Sequence, residues 1–325
     1  MAETANIAAA AERLSEDLFS VLGWTRAGPM NIDWECASEE HGKKTHPTDA
    51  VFRYEDPYGT RPVLVQTDLK SYAKGSISPA AVGSALRSLA LATDCTRRSE
   101  KWQEHYRPSG TTGETVGLLF IYNHDGEFDA DFAKLLGNLD EKSVPVPKGC
   151  RVHVLGPKDI EYLVTVTTDL KVLRGEEKLP PKVDCGFFAP HLVQRLSRDI
   201  RSPVAPLETL SSPWLIYRYA WRQKPQAPEG CIVYLRSSGE SADELMYLLD
   251  YLFHFQIIEG HAEVKLRAPY AAPTIHTNLA QAKANYAAAF PGQEYVHTLL
   301  ERVTVQTVTN IAKRFLFEEL GMNRG

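Results

Sequence analysis

The sequence predicts an α/β protein with two domains, and three observations support this fold class. Helical and strand-like patterns alternate along the first half of the chain in the order helix, three strands, helix, strand. The chain has 325 residues, a length that corresponds to about two domains. Its 43% hydrophobic and 24% charged residues are typical of a globular protein. We therefore expect a mixed central sheet flanked by helices, followed by a second α/β or α+β domain.

Composition and charge restrict the expected location and partners. No apolar run approaches ~18 residues, and the alanine run at residues 8–11 is too short for a secretion signal, so we expect a cytoplasmic protein without a membrane partner. The five cysteines are scattered and never form Cys-x-x-Cys, which indicates reduced thiols rather than disulfides or a zinc ribbon. The net charge of −5 argues against coating of nucleic acid by bulk electrostatics.

The first predicted element is an amphipathic helix over residues 6–22, which carries apolar residues at steps of three and four and ends at Gly23. A short strand around residues 31–37 and a charged loop over residues 38–45 follow. The even spacing of three residues in this region admits either a metal site or an ordinary polar loop. The three residues are Cys36, His41 and His46.

Two acids and a lysine come together on a hairpin predicted between residues 47 and 72. The predicted strands are the run 50–54, opened by Asp49, and the run 62–66, which Asp68-Leu69-Lys70 ends, and Asp56-Pro57-Tyr58-Gly59 carries turn chemistry between them. Residues two apart on a strand point to the same face, so Asp68 and Lys70 share one side. The hairpin then brings Asp49, which opens the first strand, beside them.

This set of groups suits hydrolysis of a phosphodiester. Carboxylate oxygens such as those of Asp49 and Asp68 are ligands for Mg²⁺ or Mn²⁺, and Leu69 offers only its backbone carbonyl. The ammonium of Lys70 is suited to orient the attacking water and to offset charge in the transition state. Gln66 lies on the same predicted strand face as Asp68 and is positioned to order the site.

Pro47-Thr48-Asp49 followed by Asp68-Leu69-Lys70 resembles the signature of the PD-(D/E)XK, or restriction-endonuclease-like, nuclease superfamily. The resemblance extends over residues 6–173, since the predicted order of elements matches the α-β-β-β-α-β core of that superfamily. It implies a metal held by Asp49, Asp68 and the Leu69 carbonyl, with Lys70 in catalysis. A second Asp-Leu-Lys at residues 169–171 falls on a predicted helix instead.

The first helix carries a further resemblance. Ala11-Glu12-Arg13-Leu14 through Leu22-Gly23-Trp24 is similar to the first helix of archaeal Holliday-junction resolvases and Mrr-like restriction enzymes. The resemblance implies that Glu12 is a direct or water-mediated metal ligand and a fourth catalytic residue. Glu16, one turn later, is the substitute, and an ordinary exposed helical acid is the alternative for Glu12.

Substrate contacts are predicted from local positive charge. Between Lys70 and Arg107 seven lysines and arginines stand against three acids, which gives this stretch a net charge of +4 beside the predicted site. The alternative is a solvated helix face, and the same alternative applies to the charged loop before Asp49. The predicted phosphate-binding residues are Lys43, Lys44, Arg87, Arg97, Arg98 and Lys101.

The domain boundary is predicted in the charged, Pro- and Gly-bearing segment near residue 176. The expected division is a nuclease-like domain over residues 1–175, a linker over 176–186, and a second α/β domain over 187–325 with a regulatory, binding or oligomerisation role. In the second domain, a strand over residues 214–221 alternates aromatic and basic side chains. The other elements expected there are helices 242–258, 277–289 and 307–320 and a strand at 263–267.

These inferences predict a Mg²⁺- or Mn²⁺-dependent endonuclease, with DNA as the expected substrate and restriction, anti-phage defence or repair as the expected role. One alternative is a catalytically inactive nuclease-like subunit that binds nucleic acid or assembles a complex. Another is a nuclease that acts on RNA after activation by a ligand or partner. A homodimer or a larger defence or repair complex is compatible with each of them.

Overall fold

The chain divides into two compact units, one that ends at Glu161 and one that begins at Tyr162. The computed structural model describes residues 2–107, 112–139, 144–190, 201–223, 226 and 229–309. Over this part of the chain, no helix combines the length and the apolar character that a membrane crossing needs.

The first unit is built on a five-stranded mixed sheet. Its helices are α1 (Ala2–Val21), α2 (Pro79–Cys95), α3 (Glu100–Tyr106) and α4 (Phe132–Gly137). Its strands are β1 (Thr25–Ala27), β2 (Ile32–Glu35), β3 (Thr45–Thr48), β4 (Ala50–Glu55), β5 (Pro62–Tyr72), β6 (Glu114–Asn123) and β7 (Val152–Leu155). The strand order is β1-β4-β5-β6-β7, in which β4 is antiparallel to β1 and β5, and β5, β6 and β7 are parallel. The predicted mixed sheet is thereby confirmed.

Helices cover the two faces of this sheet. On one face the ring of Phe19 in α1 lies 4.8 Å from that of Phe52 in β4 and 6.0 Å from that of Phe120 in β6. On the other face Gly117 of β6 lets α2 approach closely, because a Cβ there would lie 2.6 Å from the Thr93 hydroxyl. Neighbouring residues of a strand point to opposite faces, so β4 and β6 contribute to both layers.

The strand predicted around residues 31–37 exists as β2, but it lies outside the main sheet. It pairs with β3 in a separate two-stranded hairpin, and β1 takes its place in the sheet. The chain turns away after β1 through two left-handed positions, Gly28 at φ 66° and Asn31 at φ 55°. A Cβ on Gly28 would lie 2.4 Å from the His105 carbonyl oxygen, so only glycine fits there.

The strands predicted at residues 50–54 and 62–66 are confirmed as β4 and β5. β5 includes Asp68 and Lys70, as predicted, and continues beyond Lys70 to Tyr72. Its pairing with β4 stops at Thr67, whereas its parallel pairing with β6 continues to the end. From residue 68 onward, β5 is therefore paired on one side only within the described part of the chain.

The second unit contains another mixed sheet. The helix α5 (Pro157–Gly175) begins before the division at Tyr162 and continues into this unit. The other helices are α6 (Ala242–His254), α7 (Ile275–Ala288) and α8 (Glu294–Glu301). The strands are β8 (Cys185–Phe188), β9 (Arg201–Ser202), β10 (Trp214–Tyr219), β11 (Gly230–Leu235), β12 (Glu263–Ala268) and β13 (Val303–Thr307), in the order β13-β12-β11-β10-β8-β9. The parallel strands are β11, β12 and β13.

The division at Tyr162 falls earlier than the boundary predicted at residue 175. From Tyr162 onward α5 contacts the second sheet: the Tyr162 hydroxyl donates to the Tyr234 carbonyl at 3.0 Å. The segment predicted as a linker, 176–186, contains the buried Leu179 and runs into β8. Hydrophobic side chains inside a Pro- and Gly-bearing segment are the physical reason for this difference. Most of the helix predicted at 307–320 lies outside the described residues.

The strand predicted at 214–221 is β10, and Arg218, one of its basic side chains, is buried. Arg218 is only 7% exposed and donates from Nε to Nε2 of His261 at 2.9 Å. Burial lowers the pKa of His261 to about 4, with a further contribution from the neighbouring Arg218, so the imidazole is a neutral acceptor. The arginine belongs to a buried polar pair, which removes it from any nucleic-acid-facing surface.

Candidate active site

Asp49 binds the open edge of β5. It stands between β3 and β4, and its carboxylate Oδ2 accepts a hydrogen bond from the Leu69 backbone N–H at 2.6 Å. This contact replaces the strand partner that β5 loses after Thr67. In an extended strand the N–H and C=O of one residue point to the same side, so the Leu69 carbonyl also points toward this edge.

Asp68 and Lys70 lie on one face of β5, as their spacing predicts. The Lys70 ammonium is 2.6 Å from Oδ1 of Asp68, and the side chains of Lys70 and Asp68 are 33% and 16% exposed, respectively. The pair is half-sheltered, with its cation nearer to solvent than its carboxylate. Together with Asp49, this is the convergence of two acids and one lysine that the hairpin pattern predicted.

Burial disfavours the charged forms of both Asp68 and Lys70. Burial raises the pKa of Asp68 to about 6, the Lys70 ammonium opposes that rise, and the Asp49 carboxylate adds to it. Burial lowers the pKa of Lys70, but the Asp68 carboxylate outweighs that effect and the net pKa is raised. The site therefore contains a protonated lysine and an excess of negative charge that a divalent cation would neutralise.

Glu12 is connected to Asp49 through one residue. The Asn31 side-chain amide donates to Oε1 of Glu12 at 2.9 Å, and the Asn31 backbone N–H donates to the Asp49 carbonyl at 3.0 Å. Asn31 is one of the left-handed residues, a conformation that clusters at functional sites. Glu16 instead faces Arg26, whose Nη1 lies 3.3 Å from its carboxylate on the exposed surface. These contacts favour Glu12 over Glu16 as the helix acid.

A buried amide network holds the segment that ends in Asp49. The Gln66 side chain donates to the Thr48 hydroxyl at 2.7 Å and accepts from the Trp102 indole at 2.8 Å. The Trp34 indole also donates to that hydroxyl at 2.7 Å. Gln66 was predicted to order the site, whereas Asn31, Thr48 and the two tryptophans were missed. Only the left-handed turn chemistry of Asn31 gave a sequence signal for any of them.

Three of the six predicted phosphate-binding residues have partners elsewhere on the first unit. Arg97 donates to the Gly149 carbonyl at 2.7 Å and lines a cavity with Val63, five residues before Asp68 on β5 and thus ~17 Å away along the strand. Two others are held in ion pairs on the helix surface, Arg98 with Asp94 and Lys101 with Glu104.

The remaining three are exposed beside α2. Lys43 donates to the Ser88 hydroxyl on α2 at 3.2 Å, and Arg87 precedes that serine. Lys44 is also exposed. Lys43 and Arg87 thus both lie at α2, while Arg97 lies at the far end of the strand.

The oxygen-only donor set fits a hard divalent cation. Two carboxylates and a carbonyl at an open strand edge are ligands typical of Mg²⁺ or Mn²⁺, and they leave positions for water and phosphate oxygens. The lysine is beside them and outside the donor set. Such an arrangement is chemically suited to the hydrolysis of phosphate esters.

The comparison with protein families agrees with this geometry. Residues 1–159 match the family model described as "GAPS4 protein PD-(D/E)XK nuclease domain". Neither the curated proteins nor the solved structures provide a significant match. The matched range covers α1, the five-stranded sheet and all residues of the site described above. The N-terminal part of this chain is a PD-(D/E)XK nuclease domain of the GAPS4 family.

Proposed function

We propose that the first unit is a Mg²⁺- or Mn²⁺-dependent endonuclease that cleaves DNA. The observation that carries this proposal is the convergence of Asp49 and the Asp68–Lys70 pair on the open edge of β5. The match to a nuclease family supports hydrolysis of phosphodiesters. The choice of DNA over RNA and of an endonuclease is part of the proposal.

In this proposal Asp49, Asp68 and the Leu69 carbonyl hold the metal ion, and Glu12 adds a direct or water-mediated contact. When bound, the ion supplies positive charge at the phosphoryl oxygens and lowers the pKa of water in its coordination sphere. Because Oδ2 of Asp49 accepts from the Leu69 N–H, Asp49 would hold the ion through Oδ1, or through Oδ2 without that hydrogen bond.

Lys70 acts on the water and the phosphate. Its side chain is the more solvent-accessible member of the Asp68–Lys70 pair, and it stays protonated because Asp68 raises its pKa. A protonated lysine donates to the attacking water or to a phosphate oxygen, and so orients the nucleophile and stabilises the negative charge of the transition state. Gln66 and Asn31 keep the acids in position.

Lys43, Lys44 and Arg87 are the basic residues that we propose for substrate contacts. They are exposed near α2, and Lys43 is tied to that helix through Ser88. We propose anti-phage defence as the biological role, because the matched family is one of defence proteins. Restriction and repair are the related roles. The second unit is then a regulatory, binding or oligomerisation module.

The test is a cleavage assay with the full chain. Purified protein is incubated with plasmid, linear duplex and single-stranded DNA and with RNA, each with Mg²⁺, Mn²⁺ or EDTA. We expect metal-dependent nicking or linearisation of plasmid that EDTA stops. Asp68→Asn serves as the matched control, since a contaminating nuclease would survive that substitution. Cleavage of RNA alone would redirect the proposal to the RNA alternative, and binding without cleavage in every metal would favour the inactive subunit.

A further inference from the structure

Two cysteines and two histidines meet on the first unit at a place distinct from the three acids. Cys36 follows β2, His41 closes a short helical turn over Glu39–His41, His46 lies in β3, and Cys95 is the last residue of α2. One ligand atom from each lies within 4.8 Å of all the others. His46 and Cys95 are fully buried, and the side chain of His41 is 6% exposed.

Among these atoms, three pairs lie within about 0.2 Å of the separations in a tetrahedral zinc site, and a fourth pair is about 0.5 Å closer. With Zn–S near 2.3 Å and Zn–N near 2.0–2.1 Å, a tetrahedron separates sulfur pairs by ~3.8 Å, nitrogen pairs by ~3.3 Å and mixed pairs by ~3.6 Å. The Cys36 and Cys95 sulfurs are 3.8 Å apart, and His41 Nδ1 and His46 Nε2 are 3.3 Å apart. Cys36 Sγ lies 3.4 Å from His41 Nδ1 and 3.1 Å from His46 Nε2.

Two contacts beside the cluster are of the kind found at metal sites. His41 turns its second nitrogen, Nε2, to the Asp94 carboxylate at 3.2 Å, which is the usual way in which a metal-ligating imidazole is oriented. The Ala37 backbone N–H donates to Cys95 Sγ at 3.0 Å, a contact that stabilises a thiolate. Asp94 precedes Cys95 on α2, so one helix end supplies both a ligand and the group that orients another ligand.

We infer that Cys36, His41, His46 and Cys95 form a structural zinc site. Four protein ligands leave no position for a substrate, and two thiolates with two imidazoles are the ligands that select zinc over the hard ions preferred by carboxylates. Binding releases the two thiol protons, so the site carries the charge of Zn²⁺ balanced by two thiolates. This inference rests on the cluster alone and holds whether or not the acids cleave DNA.

The site joins the β2–β3 hairpin to the end of α2. His46 is followed directly by Pro47, Thr48 and Asp49, so a metal at His46 fixes the segment that carries Asp49 to the edge of β5. Without the metal, that segment is held by the Thr48 network and the strand pairing of β3. We therefore expect the zinc to support the position of Asp49 without taking part in the chemistry.

The experiment measures the metal content of the full chain. Protein without a polyhistidine tag is purified from cells grown without added zinc and analysed by inductively coupled plasma mass spectrometry. We expect about one zinc per chain in the wild type. The matched variants are Cys95→Ser and Cys150→Ser, because Cys150 belongs to the same unit but lies outside the cluster and donates from its thiol to the Ala90 carbonyl. Zinc should fall below about one tenth of an ion per chain in the first variant and stay near one in the second.

A second measurement decides the question if Cys95→Ser does not fold. Wild-type protein is stripped of metal and loaded with Co²⁺, whose visible absorption becomes intense in a tetrahedral site and which shows a thiolate charge-transfer band. We expect both features at one Co²⁺ per chain and their loss on addition of Zn²⁺. Wild-type protein without a transition metal and without this spectrum would overturn the inference. Iron in place of zinc, or full zinc retention by soluble Cys95→Ser, would overturn it equally.

Discussion

The tripeptide Asp-Leu-Lys stands on β5 at residues 68–70 and on α5 at residues 169–171. On the strand, residues two apart share a face, and Lys70 reaches Asp68 at 2.6 Å. On the helix, residues two apart point in nearly opposite directions, so Asp169 is 6% exposed while Lys171 is exposed. The same letters thus give a paired site in one element and two unrelated side chains in the other.

The second copy has a structural role. Asp169 accepts from Nη2 of Arg267 at 2.6 Å and from the Tyr234 hydroxyl at 2.6 Å, and so ties α5 to β11 and β12. Its oxygens are filled by protein donors. Those of Asp49 and Asp68 face an open strand edge with one lysine. A motif of this kind therefore indicates chemistry only where a strand holds it and where protein donors leave oxygen lone pairs free.

The largest expected effect is on the cleavage rate, which should depend on the copy at residues 68–70 and not on the copy at residues 169–171. Asp68→Asn and Lys70→Ala should each lower the cleavage rate by about 10²–10³-fold or more, since each removes a group that acts on the charged transition state. Lys171→Ala is the matched control and should cleave as the wild type does. Calorimetry with Mg²⁺ distinguishes the two active-site variants: Asp68→Asn should weaken Mg²⁺ binding, whereas Lys70→Ala should leave it unchanged or strengthen it. Undiminished cleavage by either would refute the site.

Replacing the aspartate by asparagine should change the free energy of unfolding in opposite directions at the two copies. Asp169→Asn leaves Arg267, whose side chain is 12% exposed, without its carboxylate, and should lower the free energy of unfolding by about 3–5 kcal/mol. Cleavage per folded molecule should stay unchanged. Denaturant titration with a probe in the second unit measures the loss. A loss below about 1 kcal/mol would mean that the pair is not a structural tie.

For Asp68 the same substitution should raise the free energy of unfolding of the metal-free protein at pH 7. Burial raises its pKa from 3.8 to about 6, so the charged form is disfavoured in the folded state and the stability of metal-free protein falls as the pH rises from about 4 to about 6. Asp68→Asn should remove this loss and stabilise the metal-free protein at pH 7 by up to about 3 kcal/mol. Thermal unfolding in EDTA at pH 4.5 and pH 7 gives the comparison. A destabilised variant at pH 7 would show that the Lys70 pair outweighs burial.

Two glutamates on α1 give a smaller contrast within the first unit. Glu12→Gln should lower cleavage by about 10–100-fold, the usual loss for a group that supports a metal site. Glu16→Gln should change it little, because Glu16 pairs with Arg26 on the surface. Both rates are measured at saturating Mg²⁺, with circular dichroism as a control for folding. A larger loss of cleavage in Glu16→Gln than in Glu12→Gln would show that Glu16 is the helix acid.

The smallest effect is on the salt dependence of DNA binding. Removing Lys43 or Arg87 should lower the slope of log K against log salt by about 0.7–0.9 each, since each phosphate contact releases counterions. Arg97→Ala should leave the slope unchanged because Arg97 is bound to the Gly149 carbonyl at the far end of β5. Lys171→Ala is the control from the second copy. Binding to a short duplex is followed by fluorescence in Ca²⁺. Equal slopes in all variants would place the substrate elsewhere.

The β-branched and aromatic runs of β4 and β5 and the spacing of Asp68 and Lys70 were sufficient to predict the hairpin and its paired groups, because both depend on neighbours in sequence. The place of β2 could not be predicted in this way. It depends on two left-handed residues, Gly28 and Asn31, and on a close approach to His105. A local sequence pattern predicts that a strand forms, whereas the sheet that the strand joins depends on where the chain turns.

Long-range partners were beyond the sequence for the same reason. Cys36, His41 and His46 are evenly spaced, but Cys95 is far from them in sequence and joins them only because α2 ends there. Arg218 alternates with aromatic residues as a solvent-facing arginine would, and its burial depends on His261, which precedes another strand. The positions of all six predicted phosphate contacts depended on helix packing that charge counting does not include.

The hydrogen bond from the Leu69 backbone N–H to the Asp49 carboxylate can be followed through the amide resonance of Leu69. An amide that donates to a carboxylate at 2.6 Å resonates and exchanges with solvent differently from one that donates to a strand carbonyl. If Asp49 turns toward an arriving cation, the Leu69 amide loses its acceptor, while the amides of Asp68 and Lys70 keep their pairing with β6. Under the proposed function, a single backbone resonance would therefore follow metal binding through Oδ2 of Asp49 in an unmodified chain.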